Sequence, residues 1–323
     1  MAGIETVRGA VDGATLGVTL MHEHIFILDT EIAANYPEHW GGEDARIAGA
    51  VTRLNELKAS GVDTIVDLTV IGLGRSIPRI QKVAAATGLN IVVATGIYTY
   101  CDLPHYFQYR GPGTVVGGPE LITDMFVRDI EEGIAGTGVR AGILKCATDA
   151  PGLTPGVERI LRATAQAHLR TAVPISTHTN ARRRVGLLQQ RVFREEGVDL
   201  GRVVIGHSGD SSDFAYLEEL IANGSYLGMD RFGIDSILST EDRVKTVARL
   251  CERGYAGRMV LSHDAACFNH WLPEGHIPTH LPRWHYLHIQ HDVLPALRRE
   301  GVTDAQIHTM LVENPRRILG GRR

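Results

Sequence analysis

This 323-residue sequence predicts a (β/α)8 fold, the TIM barrel, from three observations. Short apolar runs rich in β-branched residues occur eight times, amphipathic segments separate most of them, and no linker interrupts this alternation. Continuous apolar runs are typical of parallel strands covered on both faces, and their alternation with helices indicates repeated βα units. The predicted strands occupy residues 17–24, 63–69, 90–96, 141–146, 172–178, 202–207, 225–230 and 258–264.

Amphipathic helices are predicted between the strands from their start and stop signals. The segment 45–61 has apolar residues at helical spacing, and Gly61 suits the end of a helix. Thr154 followed by Pro155 is the pattern of an N-cap with a proline in the first helical turn. Thr240 is the expected N-cap of the helix that leads to the last strand. The chain beyond residue 285 is expected to form helices that pack on the barrel.

The alternation of strands and helices continues without a linker rich in Pro, Gly or Ser. We therefore expect residues 1–323 to form a single barrel domain, which is an ordinary length for this fold. The connections 98–119 and 265–285 are longer than usual. Long loops that follow barrel strands are often functional, so these two are candidates for the walls of a substrate pocket.

Composition excludes several classes of function. The formal net charge of −4 argues against a surface dedicated to nucleic acid or to membranes. The sequence has no apolar run long enough to span a bilayer, and its first residues do not resemble a signal peptide. Its four cysteines are scattered without a Cys-x-x-Cys spacing, which predicts free thiols in a reducing compartment, the cytoplasm.

Six side chains stand at the carboxyl ends of predicted strands, where barrel enzymes build their active sites. His22 and His24 are two residues apart on the first strand and therefore face the same side. The others end the fourth, fifth, sixth and eighth strands: Lys145, His178, His207 and Asp264. Each alone also fits a structural role, such as a hydrogen-bonded core histidine, a helix cap or a lysine that extends to solvent. Their convergence on one rim predicts a metal site.

Four histidines and one carboxylate exceed the three protein ligands of a usual catalytic zinc site, which suggests two metal ions. An ammonium group on Lys145 would be repelled by two dications, so this side chain must be neutral or converted to an anion. Carbamylation by CO2 would give it a carboxylate that can bridge two ions. Zinc is the first expectation for these ligands, and cobalt, iron and manganese are also compatible with them.

The motifs at these strand ends resemble those of the phosphotriesterase family of the amidohydrolase superfamily. They are MHEH (21–24), GILKCATD (142–149), THT (177–179), IGHSGD (205–210) and LSHD (261–264), in order over essentially the whole chain. The resemblance implies a binuclear centre in which His22, His24 and Asp264 bind one metal and His178 and His207 bind the other. The lysine of the fourth strand, carboxylated, and a hydroxide would bridge the two metals. The resemblance also implies a homodimer.

Two further residues lie in motifs similar to those of the phosphotriesterase-like lactonases within that family. Arg231 in GMDRFG and Tyr98 in TGIYTY stand where that branch has an arginine and a tyrosine. Without the family, they would be interpreted as a surface ion-pair residue and a packed aromatic. Trp271 looks like the aromatic lining of the substrate pocket, which the loop 265–285 would shape. The histidines of that loop depart from the better-known thermophilic lactonases and favour an exposed surface over a third metal site: His270, His276, His280 and His285.

The implied activity is hydrolysis of N-acyl homoserine lactones, a quorum-quenching reaction, with weak phosphotriesterase activity at the same centre. The hydroxide would attack the lactone carbonyl, and Tyr98 would donate a hydrogen bond to the carbonyl oxygen. Asp264 would use an oxygen free of metal to pass a proton to the leaving alkoxide.

Three other functions remain open. A dedicated phosphotriesterase (an aryldialkylphosphatase) or another carboxylic esterase would use the same ligands. A mononuclear deaminase would have no use for Lys145. A non-catalytic barrel that serves as a scaffold or binding module is expected to lack ligands, and none is missing here.

Overall fold

In a computed structural model, residues 3–321 form a parallel barrel surrounded by helices. The strands are β1 (Ile4–Thr6), β2 (Gly9–Val11), β3 (Thr19–Ile27), β4 (Thr64–Asp67), β5 (Asn90–Gly96), β6 (Ile143–Thr148), β7 (Ile175–Thr179), β8 (Val203–Ile205), β9 (Tyr226–Met229), β10 (Met259–Leu261) and β11 (Ala266–Asn269). The helices are α1 (Thr30–Asn35), α2 (Pro37–Trp40), α3 (Glu43–Ala59), α4 (Ile77–Ala85), α5 (His105–Gln108), α6 (Leu121–Glu131), α7 (Pro155–Thr171), α8 (Gly186–Glu195), α9 (Phe214–Ala222), α10 (Thr240–Glu252), α11 (His276–His280), α12 (Leu294–Arg299), α13 (Asp304–His308) and α14 (Asn314–Gly320).

Strands β3 to β10 pair in chain order, all parallel, and correspond one to one with the eight predicted strands. The last strand returns to the first. The backbone N–H of Asp264 donates to the carbonyl of His22 at 3.0 Å, and the N–H of His24 donates to the carbonyl of Ala265 at 2.9 Å. These bonds join the chain after β10 to β3 and close the barrel. The predicted fold is confirmed.

Two apolar layers hold the barrel together. Side chains such as Ile65, Ile91 and Leu261 belong to the core between the strands and the helices. Their strand neighbours Val66, Val92 and Val260 belong to a second cluster. Because successive side chains of a strand point to opposite faces, this second cluster fills the interior of the barrel. It also contains Ile4, Leu16 and Leu319, so segments near both ends of the described chain plug the amino end of the barrel and leave the carboxyl end for a site.

Of the strands predicted to end in metal ligands, two end earlier than the sequence pattern predicts. Regular pairing stops at Ile205 in β8 and at Leu261 in β10, before the polar residues expected to end them. His207 and Asp264 have φ values of 59° and 56°, in the left-handed region that side chains other than glycine rarely adopt. The backbone therefore turns at both residues and directs them across the carboxyl end of the barrel.

The predicted helix signals are mostly confirmed. The Thr154 hydroxyl accepts a hydrogen bond from the Val157 N–H at 3.2 Å and caps α7. The prediction of Thr240 as the cap of α10 is wrong, because Ser239 caps that helix. The backbone N–H and the hydroxyl of Thr240 both donate to Asp235, at 2.7 and 2.8 Å. Thr240 is thus the first residue of the helix and serves as a donor.

Three short strands were not predicted. Strands β1 and β2 form an antiparallel hairpin, and β11 adds to β3 in parallel from within the long loop 265–285. That loop also contains α11, and the other long connection, 98–119, contains α5. Helices occupy much of the chain beyond residue 285, as predicted. In residues 3–321, no helix is both long and apolar enough to cross a lipid bilayer.

Candidate metal centre

A first group of ligand atoms lies where the barrel closes. The Nε2 atoms of His22 and His24 lie 3.4 and 3.1 Å from Oδ1 of Asp264. Strand β3 supplies both imidazoles, and the turn after β10 supplies the carboxylate. These are the three residues expected to bind one metal.

A second group lies beside the first. Nε2 of His207 is 2.9 Å from Nδ1 of His178, and the same Nε2 atom lies 3.7 Å from Oδ2 of Asp264. The amine of Lys145 stands 2.8 Å from Nε2 of His22, and its hydrogen bond to the carbonyl of Thr177 measures 3.2 Å. All six side chains predicted as metal ligands therefore converge on one place.

The ring nitrogens that face away from this centre are all hydrogen-bonded. Asp230 receives Nδ1 of His22 on Oδ2 at 2.8 Å and Nδ1 of His207 on Oδ1 at 2.9 Å. Nδ1 of His24 lies 2.9 Å from the hydroxyl of Thr69, which donates in turn to Asp67 at 2.5 Å. In the fourth imidazole, Nε2 of His178 is 2.7 Å from Oδ2 of Asp149. Each outer partner accepts an N–H, which leaves the inward nitrogen with a free lone pair.

Burial sets the protonation of the centre. It lowers the pKa of His178 to about 4 and holds the pKa values of His22 and His207 well below the usual histidine range. These imidazoles are therefore neutral at pH 7. Burial also lowers the pKa of Lys145 to about 8, although Asp264 opposes the shift. Burial alone would raise the pKa of Asp264, but charge interactions within the centre, including the ion pair with Arg231, hold it well below its usual value.

The donor set fits a pair of divalent cations. Neutral imidazoles with inward lone pairs, an ionised carboxylate and outward N–H groups bound by oxygen are the features of protein metal sites. The closely spaced ligand atoms of His22, His24 and Asp264 meet the spacing expected of a single-ion site. The inward nitrogens of His178 and His207 face each other at 2.9 Å. Because the outward nitrogen of each neutral ring carries the proton, a cation bound between the two rings would use both inward lone pairs.

Arg231 is paired with the centre and is not a surface residue. Its Nε donates to Oδ2 of Asp264 at 2.9 Å, and its Nη1 donates to Oδ2 of Asp210 at 3.1 Å. From the sequence we expect one oxygen of Asp264 to be free of metal. In the structure, that oxygen accepts the hydrogen bond from the Arg231 guanidinium. Asp210 also pairs with the buried Arg243, at 2.8 Å.

Aromatic side chains form the rim above the ligands. The hydroxyl of Tyr98 is 3.4 Å from Nδ1 of His178 and is hydrogen-bonded to the hydroxyl of Tyr100. Burial and the neighbouring Tyr100 raise the pKa of Tyr98 well above its usual value, so this hydroxyl keeps its proton. Trp271 stacks on Tyr98 with ring centroids 6.0 Å apart, and 49% of it is exposed.

A cavity of about 960 Å³ opens behind Trp271, between the loop 265–287 and helices α1 to α3. Its apolar lining includes Ile32, Phe268, Leu272 and Ile277. The predicted exposure of the loop histidines is confirmed for His280 and His285, whereas His270 and His276 are half-buried.

Glu23, between the two histidines of β3, anchors the turn that carries Asp264. Its Oε1 accepts hydrogen bonds from the Ser262 hydroxyl and from Nδ1 of His263, at 2.8 and 2.7 Å. Its Oε2 accepts the Ala265 N–H at 2.9 Å. This buried carboxylate thus fixes the strained turn from both sides.

Sequence reasoning missed the outer partners Thr69, Asp149 and Asp230. Asp149 and Asp230 directly follow β6 and β9, and Thr69 stands two residues after the end of β4. The same strand-end rule that found the ligands also includes these three positions. Their partners lie on other strands, so the sequence alone did not pair them.

Three comparisons with known proteins agree with this geometry. The sequence model of the Phosphotriesterase family matches residues 2–319. A Mycobacterium tuberculosis protein named "Phosphotriesterase homology protein" is 71% identical over 318 residues, covering 98% of each chain. A Saccharolobus solfataricus protein named "Aryldialkylphosphatase" is 41% identical over 314 residues, covering 96% of this chain and 97% of that one.

A solved structure gives the same result. It is described as the phosphotriesterase from Mycobacterium tuberculosis, and it superposes with a TM-score of 0.97 at 71% identity over 98% of both chains. Fold, ligand geometry and similarity agree that this chain belongs to the phosphotriesterase family of metal-dependent hydrolases.

Proposed function

We propose that this enzyme opens the ring of N-acyl homoserine lactones, which makes it a quorum-quenching lactonase with weak phosphotriesterase activity. The observation that carries the proposal is the protonated Tyr98 hydroxyl, 3.4 Å from a ligand nitrogen of His178. A donor at that place suits the single oxygen of an ester carbonyl, on which negative charge develops as the carbon becomes tetrahedral.

Two divalent cations, zinc or one of the related ions, would occupy the centre. We propose His22, His24 and Asp264 as the ligands of one ion, His178 and His207 as ligands of the other, and Lys145 as the bridge. When bound, the cations supply a water of lowered pKa and polarise the carbonyl of the substrate. Burial lowers the pKa of Lys145 and so favours its free amine, which could add to CO2 and lose a proton; the resulting carbamate would supply carboxylate oxygens as ligands.

Asp264 is the proposed proton carrier. It would accept the proton of the attacking water and deliver it to the alkoxide that leaves when the ring opens. Arg231 holds Oδ2 of this carboxylate at 2.9 Å and keeps it ionised. A carboxylate oxygen has a second lone pair, so Oδ2 can take a proton while it stays bound to the guanidinium.

The acyl tail is the part of the substrate that the rim would recognise. Trp271 stacks on Tyr98 and also lines the cavity behind the loop, so an acyl chain that leaves the lactone ring would meet the exposed face of the indole. The cavity has charged side chains such as Glu38 and Arg46 in its walls besides the apolar ones. A volume of about 960 Å³ is at the upper end of the range for small-molecule sites.

A dedicated phosphotriesterase is the second candidate, because relatives carry the names phosphotriesterase homology protein and aryldialkylphosphatase. The same donors would serve a phosphoryl oxygen.

Location and assembly are also proposals. The four free thiols suit a reducing compartment such as the cytoplasm, and we propose one domain over residues 1–323 that forms a homodimer.

The deciding experiment compares kcat/KM of the metal-loaded protein on an N-acyl homoserine lactone and on an aryl dialkyl phosphotriester. We expect the lactone value to be larger by about a hundredfold, or about 2.7 kcal/mol of transition-state stabilisation. A reversed ratio would show that phosphotriesters are the better substrates and that the tyrosine argument is wrong.

A further inference from the structure

The outer hydrogen bonds of the four imidazoles involve one residue that serves both proposed metal sites and one separate residue for each site. Asp230 is 1% exposed and binds one histidine of each site, His22 with one oxygen and His207 with the other. His24 and His178 have separate partners, Thr69 and Asp149.

We propose that Asp230 is a shared positioning residue that couples the two metal sites, whereas Thr69 and Asp149 each position the ligand of one site only. The proposal rests on the ligand sets given above and is independent of the substrate. With the ligand sets proposed above, these three residues would contact neither metal nor substrate, and they would act by fixing which nitrogen of each ring carries the proton.

The coupling follows from the two oxygens of one carboxylate. Asp230 accepts N–H groups from both rings, and Oδ1 also accepts the backbone N–H of His207 at 2.8 Å. An asparagine at this position would offer one oxygen and one NH2 group. Two N–H donors would then face one acceptor, so at least one ring would have to turn or change tautomer.

The other two partners are expected to differ in strength. Thr69 is buried, and its hydroxyl donates to Asp67 at 2.5 Å. Bulk solvent therefore does not reach His24 to replace the Thr69 hydroxyl as a hydrogen-bond acceptor. Asp149 has a side chain that is 22% exposed, and Asn180 and the Ala150 N–H also bind it. Water can partly replace this carboxylate, so its removal should cost less metal affinity.

The test is the release of Co²⁺ from the loaded protein to a competing chelator, followed by bound metal and by the visible spectrum of the ion. The unmodified protein should release its two ions in two steps. Asp149→Ala should weaken one step about tenfold, and Thr69→Val should weaken the other by up to about a hundredfold. Asp230→Asn should weaken both.

Conservative variants separate positioning from general damage. Thr69→Ser keeps its acceptor and should restore affinity to within about threefold of the unmodified protein. Asp149→Asn loses one of two oxygens that both accept N–H groups, but these groups belong to one site, so it should weaken only the step that Asp149→Ala weakens. Asp230→Asn, an equally conservative change, should weaken both steps, because its two oxygens serve one ring of each site. The melting temperature of each metal-free variant provides the check that the barrel still folds.

A double-mutant cycle shows which site each residue serves. In a His178→Ala background, which should retain the ion at His22 and His24, Asp149→Ala should have no further effect, while Thr69→Val still weakens the remaining step. The proposal is overturned if Asp149→Ala weakens both steps equally or neither, or if Asp230→Asn affects one step only. If Asp230→Asn fails to fold, the variants of Asp149 and Thr69 still decide whether each metal site has its own positioning residue. If the unmodified protein bound a single ion, the ligand assignment itself would be at fault.

Discussion

The floor and the rim of the site are built from different chemistry. On the floor, His22, His207, Lys145 and Asp230 are almost fully buried, and every ring nitrogen that faces outward has an oxygen partner. On the rim, Tyr98 and Trp271 are held by aromatic stacking, and half of the indole faces solvent. Buried polar networks tolerate little change, whereas exposed aromatic contacts can be exchanged at small cost. We therefore expect the floor to determine which reaction is catalysed and the rim to determine which substrates are preferred.

The largest effect is expected on the floor. Lys145→Ala should remove bound metal and lower kcat/KM by about a thousandfold or more, because several kcal/mol of electrostatic stabilisation are lost. Metal content and activity should be measured on the same sample. Lys58→Ala, which removes a surface lysine paired with Asp63, is the matched control and should leave both unchanged. Full activity in Lys145→Ala with normal metal content would contradict a bridging role.

A smaller effect is expected where the rim meets the floor. Tyr98→Phe should lower kcat on the lactone about 10- to 100-fold with little change in metal content, because one hydrogen bond to the developing oxyanion is lost. The loss on a phosphotriester should be smaller if the hydroxyl serves a carbonyl. Tyr106→Phe, at an exposed tyrosine, is the control. Equal losses on both substrates would remove the argument for lactone preference.

The smallest effect is expected on the exposed rim. Trp271→Ala should raise KM about fivefold for lactones with long acyl chains and change kcat less than twofold, since only part of an aromatic face is lost. Lactones with short acyl chains should show almost no change. Tyr109→Ala, at another exposed aromatic, should leave KM unchanged for both. A loss in kcat of the same size for both chain lengths would show that Trp271 contributes to the reaction itself and not to binding of the acyl chain.

The same contrast explains what the sequence predicts well. The eight barrel strands and the six proposed ligands follow from local patterns, because apolar runs and strand-end polar residues are both visible along the chain. Strands β1, β2 and β11 are only partly buried and do not form apolar runs. Strands β8 and β10 are as short, but all their residues are buried and apolar, so the sequence pattern reveals them. The pairing of Asp230 with His22 and His207 depends on the curvature of the barrel. Likewise, the choice of Ser239 over Thr240 as a cap depends on Asp235, which already binds the Thr240 hydroxyl.

The contact between β3 and the chain after β10, which closes the barrel, determines the order in which the proposed ligands come together. His22 and His24 leave the ribosome early, whereas Asp264 and the turn held by Glu23 arrive only after the last barrel strand has been synthesised. Closing so long a segment of chain requires that most of the other strands already be in place. Under the proposed ligand assignment, the nascent protein would hold two of these three ligands without the third and would gain full affinity for the ion only after the barrel has closed. Metal binding would then follow closure of the barrel and would join the first strand to the last.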